Sequence, residues 1–182
     1  MSILPIIIAP DDRLHLCSEE VMEVNDEVKR LVDDMFETMY HEGGLGLAAV
    51  QIGVHKRIFI ADVPEEYDNL ENRVDGYSST GGPFCIINPQ IIELSDESIL
   101  LNEGCLSVPE QRNEISRPKY LTLKYLDYYG KKQIVKAQGW LARCFQHEVD
   151  HLNGILYFKY LSKIKYDMAV KKAQKIKRYY KQ

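Results

Sequence analysis

The sequence predicts a domain that mixes helices and strands, and three observations carry that expectation. Between Asn25 and His41 apolar residues recur at helical spacing. From Arg57 to Ala137 the chain reads as a series of short strands separated by turn residues. Beyond Trp140 helical patterning returns twice, first around Gln146–His151 and then in a lysine-rich stretch.

In chain order, residues 3–8 form a short apolar strand or packed arm, and Pro10-Asp11-Asp12 is turn chemistry. The first helix runs from Asn25 to His41. Val28, Leu31, Val32, Met35, Phe36 and Met39 make one apolar stripe, Asn25 suits the N-cap, and Gly43-Gly44 ends it. Residues 43–53 are too small and glycine-rich for a regular amphipathic helix, and their glycines permit close approach of a ligand or another chain. No G-K-[ST] follows, so this is not a phosphate loop. Arg57–Val63 reads as a strand. Residues 64–83 read as a loop longer than is usual without structure of its own. Phe84–Leu94 and Ser98–Leu101 read as paired strands, and Tyr120–Tyr125 and Gln133–Ala137 as a hairpin turning at 127–130. A helix from Trp140 to Leu152 stops at Asn153-Gly154. The last helix runs from Ser162 to about Tyr180, with Ile164, Met168, Ala169, Ala173, Ile176 and Tyr180 facing inward and lysines opposite.

Composition excludes several classes. Of 182 residues, 45% are hydrophobic and 27% charged, as in an ordinary soluble globular protein. The first ten residues lack a basic region, and two prolines interrupt their apolar run, so no secretory signal is expected. No stretch approaches the ~20 apolar residues of a membrane span, which points to a cytoplasmic protein with no membrane partner. The four cysteines, Cys17, Cys85, Cys105 and Cys144, form no C-x-x-C pair and read as free thiols or, in one case, a ligand. The net charge of -4 is uneven: residues 159–182 hold nine Lys or Arg and one acid, Asp167. A basic tail on an acidic body suggests an anionic partner.

The chemistry concentrates in Gln146-His147-Glu148-Val149-Asp150-His151. In H-E-x-x-H on a helix, His147 and His151 share one face and can grip one metal ion, while Glu148 can reach a water on it. Catalytic sites of this type use three protein ligands and keep one position open. Cys105 is the best third candidate, because a Gly-preceded turn at a strand end can aim its side chain; spacing alone does not fix it. Cys17 and Cys144 read more simply as buried small residues, with Cys144 one turn before His147. An H-E-x-x-H endopeptidase would take a His or Glu ligand downstream, yet none follows His151. A non-catalytic metal-binding or ribosome-associated module would need no general base.

Three segments together resemble peptide deformylases: Gly44-Leu45-Gly46-Leu47-Ala48-Ala49-Val50-Gln51 is similar to G-x-G-L-A-A-x-Q, Glu103-Gly104-Cys105-Leu106-Ser107 to E-G-C-L-S, and Gln146–His151 to Q-H-E-x-D-H. The resemblance implies an α+β fold, antiparallel sheets surrounding a central metal-binding helix, with residues 1–182 as one catalytic domain that includes the basic C-terminal helix 162–182. It implies removal of the N-formyl group from the initiator methionine of nascent polypeptides, releasing formate. It further implies Cys105, His147 and His151 as ligands of one divalent ion, iron in the cell, for which zinc, nickel or cobalt can substitute. Glu148 is then the general base, with the Gln51 amide and the Leu106 backbone N–H as donors to the formyl oxygen. Gly44, Leu45, Gly46, Glu103, Gly104, Arg112, Trp140, Arg143 and Cys144 are candidates for binding the substrate. Trp140 and Arg143 stand where apolar aliphatics are also common in the family. Asp150 is expected to be structural, pairing with Arg117 or orienting a ligand, and the basic helix is a candidate for docking on the ribosome.

Overall fold

In the computed structural model, which describes residues 2–68 and 73–180, Asn25 starts the first helix as expected. Its side chain accepts from the Val28 N–H at 3.0 Å, one of the donors a helix N-terminus leaves free. Helix α1 (Asp26–His41) buries Val28, Val32, Met35, Thr38 and Met39 against β1 (Gly46–Ala48) and β2 (Ile58–Val63). The apolar start of the chain is a packed arm rather than a strand. It is tied by Ile7 N–H to Gln51 O (2.7 Å) and Ala9 N–H to Ser107 O (2.8 Å).

The main sheet has five antiparallel strands in the order β1-β2-β3-β6-β7, with β3 at Gly81–Leu94, β6 at Tyr120–Leu126 and β7 at Lys132–Gln138. Strands β4 (Ser98–Cys105) and β5 (Val108–Pro118) pair only with each other, as a separate two-stranded sheet. Helix α2 (Gly139–Leu152) lies between these two sheets and packs on β1, β2, β7 and β5. The architecture is α+β, with antiparallel sheets around one helix. Among the described residues, no helix is long and apolar enough to cross a membrane.

Several boundaries differ from expectation. β5 is an 11-residue strand where none was predicted, because Pro109, Pro118 and its charged residues mask the alternation of buried Val108, Gln111, Ile115 and Arg117. The 64–83 loop carries a 3-10 turn at Glu65–Tyr67, and β3 already begins at Gly81; residues 69–72 of that loop lie outside the described residues. Cys17 is exposed, not buried, with its thiol near Asn153 O. In α3 (Lys163–Tyr180) only Ala169, Ala173 and Ile176 are buried; Ile164 and Met168, expected inward, are 75% and 66% exposed, Met168 lying about 100° around the helix from Ala169.

Candidate metal centre

From Leu141 to Glu148 every side chain of α2 is buried, polar ones included. Burying that many polar groups is costly unless each has a partner; the small sheet partners Arg143, Gln146 and His147, whereas Glu148 Oε2, Arg143 Nε and His151 Nδ1 are buried without a partner among the described residues. The Nε2 atoms of His147 and His151 are 3.2 Å apart, and Cys105 Sγ at the end of β4 is 3.2 Å from His151 Nε2. All three donor atoms lie within 4.8 Å of one another. Ion–ligand bonds of about 2.0–2.3 Å in a tetrahedron put neighbouring ligand atoms roughly 3.3–3.6 Å apart, so this cage fits one divalent ion. Burial and the neighbouring His147 push His151 well below its ordinary pKa. Burial opposes charge on His147 too, yet Cys105 and Glu103 outweigh it and push that imidazole up. The Glu103 carboxylate thus favours a cation at the cage, a role that a bound metal ion can fill with His147 neutral.

Glu103 holds the first ligand in place. Its Oε1 is 2.6 Å from His147 Nδ1, and the carboxylate also receives Arg117 Nη2 and Nε (both 2.7 Å) and Arg143 Nη1 (2.9 Å). Burial alone would raise its pKa, but Arg117 and His147 outweigh burial and hold the carboxyl well below the usual range. A carboxylate bonded to the far nitrogen of a ligating imidazole fixes its orientation and raises its basicity. Asp150 pairs with Arg117 (Nη1 to Oδ2, 2.8 Å) and accepts from Tyr160 Oη at 3.0 and 2.9 Å.

Glu148 is 3% exposed, and burial pushes its carboxyl up to about 7. It is not among the three clustered donors. A Cβ on Gly46 would sit 2.5 Å from Glu148 Oε1 and 2.8 Å from Cys144 Sγ, and one on Gly44 would sit 2.8 Å from Leu106 Cδ1. These two glycines let β1 and its approach close on Glu148, Cys144 and Leu106. Gln51 is fixed with its Oε1 on Ala48 N–H (2.8 Å) and its Nε2 turned to Ser107 Oγ (3.1 Å) and Cys105 Sγ (3.6 Å).

A cavity of about 880 Å³ opens over this centre. Of the residues expected to bind substrate, Gly44, Leu45, Gly46, Glu103, Gly104, Arg112, Trp140, Arg143 and Cys144 all border it, as do Gln51, Leu106, His147 and Glu148. Two of these have other work. All the bonds described for Glu103 go to Arg117, Arg143 and His147, and Arg143 is 2% exposed, its Nη atoms spent on Glu103, Ile99 O (2.9 Å) and Ile115 O (3.0 Å). Arg143 thus pins α2 to both strands of the small sheet. Residues not foreseen are Ser107, which holds Gln51, and Tyr67, whose ring meets Trp140 edge-on at 5.5 Å. The grip of Arg117 on Glu103 was also unforeseen, although an arginine two residues from Ile115 on the inward side of a strand demands a buried acid.

The chain matches the family model described as polypeptide deformylase over residues 3–167. It is 63% identical to a peptide deformylase of Wolbachia pipientis over 182 residues, the full length of both chains. It is 51% identical to one of Rickettsia akari over 177 residues, 97% of this chain and 98% of that one. Its fold is similar to the crystal structure of peptide deformylase from Ehrlichia chaffeensis, with TM-score 0.92, 56% identity and coverage of 97% and 98% of the two chains.

The Arg143 clamp has a measurable consequence. Arg143→Leu is expected to weaken metal binding about 10-fold and to speed amide exchange in β4 and β5, while Arg143→Lys restores little, since an ammonium cannot reach three acceptors in a fixed plane. Global stability is an ambiguous readout, because the leucine removes one buried charge but also takes a partner from the buried Glu103 carboxylate. Chelator competition gives the affinity, and an unchanged value for Arg143→Leu refutes the clamp.

Proposed function

Because the chain belongs to the polypeptide deformylase family, we propose that its cavity hydrolyses the N-formyl group on the amino-terminal methionine of new polypeptides in the cytoplasm, releasing formate. The observation that carries this reading is the meeting of Cys105, His147 and His151 with the buried Glu148 on one cavity wall. Cys105, His147 and His151 would hold a divalent ion, which supplies Lewis-acid activation of water there.

The residues then divide the work. Glu148, held near neutrality by burial, takes a proton from the attacking water and gives it to the leaving amine as the C–N bond breaks. The products are formate and a free methionine amino group. The formyl oxygen gains negative charge as water adds, and the Gln51 amide with the Leu106 backbone N–H is the donor pair for it. Gln51 is suited to this because Ala48 N–H fixes its oxygen and so turns its NH₂ toward Cys105. β1 is the edge strand of the main sheet and Gly44–Gly46 border the cavity, so an extended peptide can lie along it as an added strand. Leu45, Trp140 and Cys144 supply apolar surface for the methionine side chain.

Glu148→Gln is expected to retain the metal and lose at least ~10²-fold in the rate of formate release from formyl-Met-peptides. Near-normal turnover in a metal-loaded Glu148→Gln protein would remove Glu148 from the mechanism.

We further infer iron as the working metal. One thiolate and two imidazoles accept iron, zinc, nickel or cobalt, and raw affinity favours zinc over iron, so affinity does not identify the active ion. Chelator treatment should abolish formate release. At equal occupancy, anaerobic Fe(II) protein should be faster than Zn(II) protein, with Ni(II) or Co(II) as a stable active substitute. A zinc form as fast as the iron form sinks this assignment.

Ribosome docking through α3 is supported by the exposed Lys165, Lys171, Lys175 and Arg178. Charge reversal at Lys171 and Lys175 should weaken ribosome binding and flatten its salt dependence. Binding that ignores both salt and these substitutions excludes docking through this face.

A further inference from the structure

The inward stripe of α3 does not end where its packing ends. Ala169, Ala173 and Ile176 follow one another at helical spacing and are buried. Tyr180 is the next member of that stripe, four residues after Ile176. Yet it is 56% exposed, and it borders the same cavity as the metal centre. The body of the protein covers the first three members, and the fourth stands part-exposed at the edge of the cavity.

The helix that carries this ring is fastened to the body below it. Gln111 Nε2 donates to Ala169 O at 3.3 Å, and Lys172 Nζ donates to Glu110 O at 2.7 Å. Lys177 Nζ donates to Pro10 O at 2.5 Å and pairs with Asp11 Oδ2 at 3.0 Å. Arg13 and Lys177 hold the Asp11 carboxyl well below its ordinary range against burial. Glu110 and Gln111 themselves border the cavity, as do Pro5, Ile6 and Ile8 of the N-terminal arm. So α3 is fastened to the two segments that frame the cavity, and its last turn is held at the rim.

The cavity is also large for its first occupant. Pockets of 300–1,000 Å³ enclose whole drug-sized molecules, and about 880 Å³ exceeds what one methionine side chain and a formyl group need. Resting on the reading of the cavity as the deformylation site, we propose that Tyr180 forms a subsite for the peptide beyond its methionine, taking an apolar or aromatic side chain of a downstream residue. A tyrosine ring suits that partner, offering a wide apolar face with little rotamer entropy to lose and a hydroxyl for the peptide backbone. Pro5, Ile6 and Ile8 give the same side chain further apolar surface.

The test compares kcat/KM for formyl-Met-Ala-Phe with that for formyl-Met-amide in the metal-loaded protein. The unaltered protein is expected to prefer the longer peptide. Tyr180→Ala should lower that preference about 3–10-fold, the value of one aromatic contact, through a higher KM on the longer peptide. Tyr180→Phe should keep most of it. Tyr179→Ala, at an exposed neighbour that does not border the cavity, should keep all of it. An unchanged ratio in Tyr180→Ala, or an equal fall in Tyr179→Ala, overturns the subsite while leaving the deformylation reading intact. No formate from either peptide in the unaltered protein overturns both.

Discussion

One buried carboxylate organises the centre. Glu103 sits on β4, in a sheet that shares no strand with the main one, while both histidine donors sit on α2. Cys105 is two residues further along the same strand. The cage therefore exists only if the small sheet docks on α2 in one register. The Glu103 carboxylate enforces that register by accepting from Arg117 on its own sheet and from Arg143 on the helix while binding His147. Arg117 then reaches Asp150, and Gln146 Nε2 donates to Pro118 O at 3.0 Å. Two guanidinium groups face two carboxylates, so the buried charges balance. Removing any one member would strand another, which is where the energetic weight of such networks lies.

Environment separates the two glutamates of the site. Glu103 is ringed by cations and stays ionised; Glu148 has burial as its dominant influence and is pushed up to about 7. A carboxylate that must anchor a ligand needs a low pKa, and one that must accept and return a proton needs a value near the working pH. Glu148 lies on α2 and Glu103 on the strand packed against it, and both are buried, so the distinction comes from their partners and not from depth. Arg143 strengthens it, adding a second cation to Glu103 where an aliphatic residue would leave only Arg117.

Much of this was legible in the sequence because its signals are local. The α1 stripe, the Asn25 cap and the Asn153-Gly154 stop each depend on a few neighbouring residues. H-E-x-x-H is local too, since one helical turn sets its geometry. Cys105 was placed only as a candidate by residue reasoning, because no spacing rule links a strand end to a histidine 42 residues away. β5 escaped notice because strand patterning assumes apolar inward residues, and its inward Gln111 and Arg117 are polar groups satisfied by distant partners. The same blindness hid the structural ties of Glu103 and Arg143, which were expected only at the substrate, because the buried partners of a charged residue are not visible in sequence.

The C-terminal helix shows how one element can serve two faces. Its lysines divide by partner. Lys172 and Lys177 donate to the body, to the carbonyls of Glu110 and Pro10, which lie in the segments flanking the cavity. Lys165, Lys171, Lys175 and Arg178 are exposed. A run of basic residues read as one charged surface thus separates into fasteners and free charges. The fasteners set the rotation of the helix, and that rotation both turns the free charges outward and brings Tyr180 to the cavity rim. If a large anionic assembly held the outer face while a growing peptide crossed the inner one, neither contact would have to be released for the other. A helix only loosely tethered to the body could not keep the two faces in a fixed relation, and in that arrangement the Lys172 and Lys177 contacts would serve a purpose beyond stability.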